Sequence, residues 1–142
     1  MRLLVMTALH RHLDNIADAL RQVRAADGDV HVLARPCLED TGVGRLLSAD
    51  CGTVHVVDVP GQTLSLWLQA FPLDAVVARA ADLVARHRLE AVLITDNLNL
   101  PWRQLRERLR AHGVTVPILA CQHGLVQPWS NGELAKTCDF YF

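Results

Sequence analysis

Five short runs of this chain are apolar nearly from end to end: Leu3 to Ala8, Val30 to Ala34, Thr53 to Val59, Ala91 to Thr95 and Val116 to Cys121. A strand without polar alternation has no face to offer water, so such runs belong in a parallel sheet covered on both sides. The segments between them carry helical spacing. Leu13, Ile16, Leu20 and Val23 share one face, and Leu73, Val76, Val77, Ala80, Leu83 and Val84 form the clearest 3.6-residue stripe. Gly44 to Ser48 suits a short helical turn, and Pro101 opens a further helix through Leu105 and Leu109 that Gly113 stops. Asp139 to Phe142 reads as the start of a sixth strand. Strands alternating with helices in this way predict an α/β fold with a doubly wound, mainly parallel sheet.

At 142 residues the chain is the size of one domain, here a single Rossmann-like one over 1–142. Its net charge of -1 argues against nucleic acid as a partner, since binding by bulk electrostatics needs a strongly basic face. Met1 to Met6 is too short for a secretory leader, and no apolar run approaches the ~18 residues of a spanning helix. The expected location is the cytoplasm. Cys37, Cys51, Cys121 and Cys138 are widely spaced with no CxxC pair, so reduced thiols are expected rather than a zinc knuckle or a disulfide framework.

In a doubly wound sheet ligands bind beyond the carboxyl ends of the strands, where the strand order reverses, and the usual order puts the first and fourth strands at that point. The loops to read are therefore His10 to Asp14, Asp58 to Gln62, Asp96 to Leu100 and Gln122 to Leu125. The first of them has no glycine, which argues against a dinucleotide, because glycine is what lets backbone approach a pyrophosphate. Gly42-Val-Gly44 follows the wrong strand, and there is no Walker lysine. His10 and His12 lack the third and fourth ligands of a metal site, so none is expected; either can donate to a phosphate or sugar hydroxyl from the cleft.

Asp96 and Asn97 leave the fourth strand, where a carboxylate can accept from sugar hydroxyls while a neighbour such as Asn99 caps the next helix. Cys121-Gln122-His123-Gly124 emerges from the fifth strand. A histidine there takes a proton from an alcohol near neutral pH, or when charged steadies a phosphate, and Gly124 permits a sharp turn or a close approach. Glu39, Asp40 and Asp58 show no pairing into an acid and base. Leu64 to Phe71, the densest bulky apolar segment outside the strands, suits a sheet edge or a partner surface.

Thr7 to Ile16, Leu93-Ile-Thr-Asp96, Ala111 to Gly124 and Cys138-Asp-Phe-Tyr-Phe142, in that order, resemble the N-terminal half of bacterial surface-polysaccharide glycosyltransferases, those of capsule and lipopolysaccharide synthesis. CDP-glycerol glycerophosphotransferases are similar at greater distance. The resemblance spans nearly the whole chain, and its specific part is Gln122-His123-Gly124 followed by the aspartate-aromatic strand.

It implies a two-lobed GT-B enzyme of which this is the acceptor-side lobe, with a C-terminal donor domain absent from the chain. The last residues, Phe140-Tyr-Phe, agree with that, since an apolar terminal strand calls for cover. His123 is then the catalytic base or phosphate contact, with Asp96, Asn97, His10, His12, Gln122 and Gly124 around the acceptor. No cofactor is expected in this chain, because the nucleotide-sugar donor binds mainly to the missing domain. The implied partners are a sugar or lipid-linked acceptor and that domain or a partner subunit, and a lipid-linked acceptor extends the location to the inner face of the membrane. Transfer then needs both lobes, so the isolated chain is expected to fold without turning over.

Two other classes of reading remain. A stand-alone binding or assembly domain keeps the same sheet without chemistry. A cysteine-dependent amidotransferase-like hydrolase uses a Cys-His-Gly elbow, but here Gln122 separates the cysteine from the histidine, and Leu125 to Gly132 is poorly suited to the helix that follows such an elbow.

Overall fold

A computed structural model of the chain describes residues 1–7, 16–34, 52–56, 73–95, 104–121 and 136–141. In chain order these form β1 (Arg2–Met6), α1 (Ala17–Ala25), β2 (Asp29–Ala34), β3 (Thr53–Val56), α2 (Leu73–His87), β4 (Ala91–Ile94), α3 (Leu105–Ala111), β5 (Ile118–Ala120) and β6 (Phe140–Tyr141). The six strands make one sheet in the order β3-β2-β1-β4-β5-β6, with every pairing parallel. This is the α/β doubly wound, Rossmann-like architecture expected from the sequence. Each run expected to be a strand holds one among the described residues.

The apolar runs are explained by what covers them. Leu4 stands level with Val92 and Met6 with Ile94, and Val92 and Ile94 pair in turn with Ile118 and Ala120. These residues share a face with Leu33 and bury against Val76, Val77, Ala80 and Leu83 of α2 and Leu105 and Leu109 of α3. On the opposite face Leu3, Val5, Val30, Val32 and Ala91 pack against Leu20 of α1. Because strand side chains point alternately to the two faces, both parities of β1 must be apolar, and Leu3 to Met6 are all buried.

Helix α3 departs from expectation at its start. Gln104 has φ 59° and ψ 18°, a left-handed conformation that no α-helix contains, so a helix from Pro101 does not continue into Leu105. Its end is as expected. Gly113, at φ 81°, donates from its N–H to the Arg110 carbonyl, Val114 donates to the Leu109 carbonyl, and buried Val114 and Leu109 complete a Schellman stop. Helix α2 closes in the same way with Arg88 in the left-handed position, at φ 52°, and Leu89 donating to the Val84 carbonyl.

At the far edge β6 is tied down by Asp139. Its carboxylate accepts from the Ile118 N–H at 2.9 Å, from Arg106 Nε at 2.5 Å and from Arg110 at 2.7 Å. Burial by itself raises the Asp139 pKa, but the Ile118 and Arg106 hydrogen bonds and the two guanidinium charges prevail and hold the carboxyl below its ordinary range. No helix among the described residues is long and apolar enough to cross a membrane.

Candidate functional site

Strand order reverses between β1 and β4, the switch point beyond whose strand ends doubly wound sheets generally bind their ligands. The backbone ladder continues one residue past the strands and pins the exits of three of them side by side. Thr95 donates from its N–H to the Met6 carbonyl at 3.2 Å, and Cys121 donates to the Ile94 carbonyl at 2.9 Å. Thr7 donates to Leu33 at 3.4 Å, which joins the exit of β1 to β2. The chain therefore leaves β1, β4 and β5 from adjacent points on one edge.

Thr7 and Thr95 are each only 2% exposed. Among the described residues, Thr95 Oγ1 is the buried side-chain polar atom with no hydrogen-bond partner. Leaving such a hydroxyl unpaired costs about 1–3 kcal/mol. Its place at the root of the Asp96 loop marks this edge as one that calls for a further polar partner. Cys121 is half-buried, whereas Cys138, two residues before β6, is buried in the core, and burial followed by the Asp139 charge pushes its thiol pKa up, which keeps it protonated.

The residues singled out from the sequence, His10, His12, Asp96, Asn97, Gln122, His123 and Gly124, lie outside the described residues. So do Glu39, Asp40, Asp58, the segment Leu64 to Phe71 and the turn at Gly44 to Ser48. Their roots are described: Asp96 follows Thr95 directly, and Gln122 follows Cys121 directly.

A second polar cluster was not foreseen. His31 of β2, His55 of β3 and His87, the last residue of α2, bring one ring nitrogen each to within 4.8 Å of one another. His31 is 3% exposed; its Nε2 meets Asp29 Oδ2 at 2.9 Å and its Nδ1 meets His55 Nε2 at 2.8 Å. An ionised carboxylate only accepts, so Nε2 of His31 carries the hydrogen. With His31 neutral, Nδ1 then accepts from His55 Nε2–H. The His87 ring lies 4.2 Å from that of His31 and 5.7 Å from that of His55, centroid to centroid. Burial, then the charges of His31 and Arg79, lowers the His55 pKa, while the His31 hydrogen bond lowers that of Asp29.

The signal was present in the sequence. Val30-His31-Val32 and Val54-His55-Val56 place a histidine inside two neighbouring apolar strands, and β-strand parity with the observed register puts both on the face that α2 covers. Only the pairing of Leu33 with His55 makes the two meet diagonally.

No protein-family model matches the chain, and no curated protein does. Among solved structures it is similar to glycosyltransferase VinC, in complex with DTDP, with a TM-score of 0.44 and 18% identity over 85% of this chain. The chain spans 34% of that protein's length.

Proposed function

We propose that this chain is the N-terminal, acceptor-side lobe of a GT-B-type glycosyltransferase that moves a sugar from a nucleotide-sugar donor to a glycan or lipid-linked acceptor in surface-polysaccharide synthesis. The observation that supports it is the adjacency of the three strand exits. The hydrogen bonds from Thr95 to Met6 and from Cys121 to Ile94 put the roots of the His10 and His12 loop, the Asp96 and Asn97 loop and the Gln122-His123-Gly124 loop on one edge at the switch point. Such an edge can present several polar side chains to one hydroxyl-rich substrate.

In this reading Asp96 and Asn97 bind acceptor hydroxyls, and His123 accepts the proton of the attacking one. The acceptor oxygen bonds to the anomeric carbon as the bond to the diphosphate breaks, and the leaving group departs with the electron pair. His10, His12 and Gln122 steady the acceptor or the departing phosphate, and Gly124 leaves room for it. The donor nucleotide is held mainly by a second lobe or a partner subunit, and the enzyme works in the cytoplasm, free or at the inner face of the membrane.

The test is transfer by the full-length gene product, assayed with a panel of labelled nucleotide sugars. His123→Ala is expected to lower kcat about 10²- to 10⁴-fold with the donor KM little changed, as loss of a general base does. Asp96→Asn is expected to raise the acceptor KM instead. Unaltered kcat in the His123→Ala protein from pH 6 to 9 overturns the assignment, and robust transfer by residues 1–142 alone overturns the two-lobe reading.

A further inference from the structure

From the convergence of His31, His55 and His87 on one point, with Asp29 behind His31, we infer a binding site for a divalent transition-metal ion, with Zn²⁺ as the natural occupant. The inference does not rest on the transferase reading. Three observations carry it.

The first is the donor set. Three imidazoles from three different elements have ring nitrogens within 4.8 Å of one another, and nitrogen donors of this kind select zinc, nickel, cobalt or copper over magnesium or calcium. Three protein ligands leave a fourth position for water, the pattern of open zinc sites.

The second is the support behind the ligands. Metal-bound histidines typically donate their other ring N–H to a carboxylate, which fixes the tautomer and turns the free lone pair toward the ion. His31 has this arrangement already. Nε2–H donates to Asp29, so Nδ1 directs its lone pair at His55 Nε2, 2.8 Å away. Bonds of about 2.0–2.1 Å to one tetrahedral ion require the two nitrogens to stand about 3.3 Å apart. A small rotation of the half-exposed His55 ring achieves this, and its proton passes from Nε2 to Nδ1 so that both ligands bind as neutral imidazoles.

The third is position. His87 ends α2, where unpaired carbonyls give a helix partial negative charge that favours a cation. Arg79 and Arg86, the cations of the same helix nearest to the trio, are both engaged by Asp82, at 2.9 Å each. The site joins β2, the four-residue strand β3 and the end of α2, on the half of the sheet away from the switch point. An ion bound there cross-links these three elements while keeping its open position.

The experiment is titration of the chelator-treated 142-residue chain with Zn²⁺ in competition with a chromophoric chelator, and with Co²⁺ followed by its visible absorption. One equivalent is expected to bind with a micromolar or tighter Kd, to raise the melting temperature, and to give Co²⁺ bands of four- or five-coordination. His55→Gln and His87→Gln are each expected to weaken binding at least 100-fold, and Asp29→Asn about 10- to 100-fold. A His10→Gln, His12→Gln double variant is expected to bind as the parent does. If His31→Gln fails to fold, His87→Gln, at a half-exposed helix end, decides. Binding weaker than about 100 µM, binding that survives His87→Gln, or binding lost in the His10 and His12 variant overturns the proposal.

Discussion

The two edges of the sheet solve one problem in different ways. Each ends in a short strand, β6 or β3, held by polar groups against a helix. At β6 the solution is closed: Asp139 is met by the Ile118 N–H and by two guanidinium groups, and its side chain is only 17% exposed. At β3 the groups facing one another are three imidazoles, rich in lone pairs, and the one carboxylate beside them, Asp29, is shared between His31 at 2.9 Å and Arg24 at 3.9 Å. A cluster that contains its own counter-charges needs nothing further from solution, whereas one made of converging donors gains from an external cation. Under the metal-site proposal, what separates the two edges is charge content and not burial or proximity.

The largest effect that separates the edges is expected from Gly52→Ala. Gly52 enters β3 at φ 139°, and a Cβ there would come within 2.1 Å of the Val30 carbonyl oxygen of β2. Both the backbone conformation and the contact with main chain forbid it, so the β2–β3 pairing must shift. We expect a loss of about 3 kcal/mol in denaturant unfolding, together with loss of Zn²⁺ binding, since His55 lies three residues on. Retained binding at parent affinity would show that the site does not depend on the β3 register.

Asp139→Asn acts on the other edge. It removes a charge that two arginines and a backbone N–H share, and hydrogen bonds to charged groups are worth about 1.5–3 kcal/mol; partial exposure of Arg106 and Arg110 places the expected loss near 2 kcal/mol. Zn²⁺ affinity should not change. The same residue predicts a pH effect. Because its pKa is depressed in the folded protein, Asp139 contributes stability that is fully present above its unfolded value of about 3.9 and is lost as pH falls through the folded value. The parent should therefore lose more stability than Asp139→Asn between pH 5 and pH 2, and parallel curves would remove Asp139 from the account.

Much of this comparison could be read from sequence on one side and little on the other. Asp139 followed by aromatic residues announces a strand, and the unbroken apolar runs announce the parallel sheet, because both depend on local pattern. The histidine trio depends on register, which sets a residue of β2 diagonal to one of β3, and on where α2 stops. Neither is a property of a short window. The left-handed Gln104 is hidden because nothing in glutamine favours that conformation. The switch point between β1 and β4 was legible from the order of elements, and Thr95 Oγ1 adds beside it a buried hydroxyl that no polar motif had marked.

The smallest expected effect sharpens the comparison at the helix end that carries His87. Arg88 holds the left-handed position of the α2 stop at φ 52°, where glycine is the usual residue and other residues pay about 1 kcal/mol in steric strain. Glycine loses more conformational entropy on folding, which offsets part of the relief. Arg88→Gly is therefore expected to raise stability by about 0.5 kcal/mol, seen as a small upward shift of the denaturant midpoint with an unchanged slope. The hydrogen bond from Leu89 to the Val84 carbonyl still closes the helix, so His87 keeps its place and Zn²⁺ affinity should stay within twofold of the parent. If affinity falls with stability intact, the Arg88 side chain, and not only the turn it occupies, orients the end of α2, and the metal-binding edge is built from more than its three ligands and Asp29.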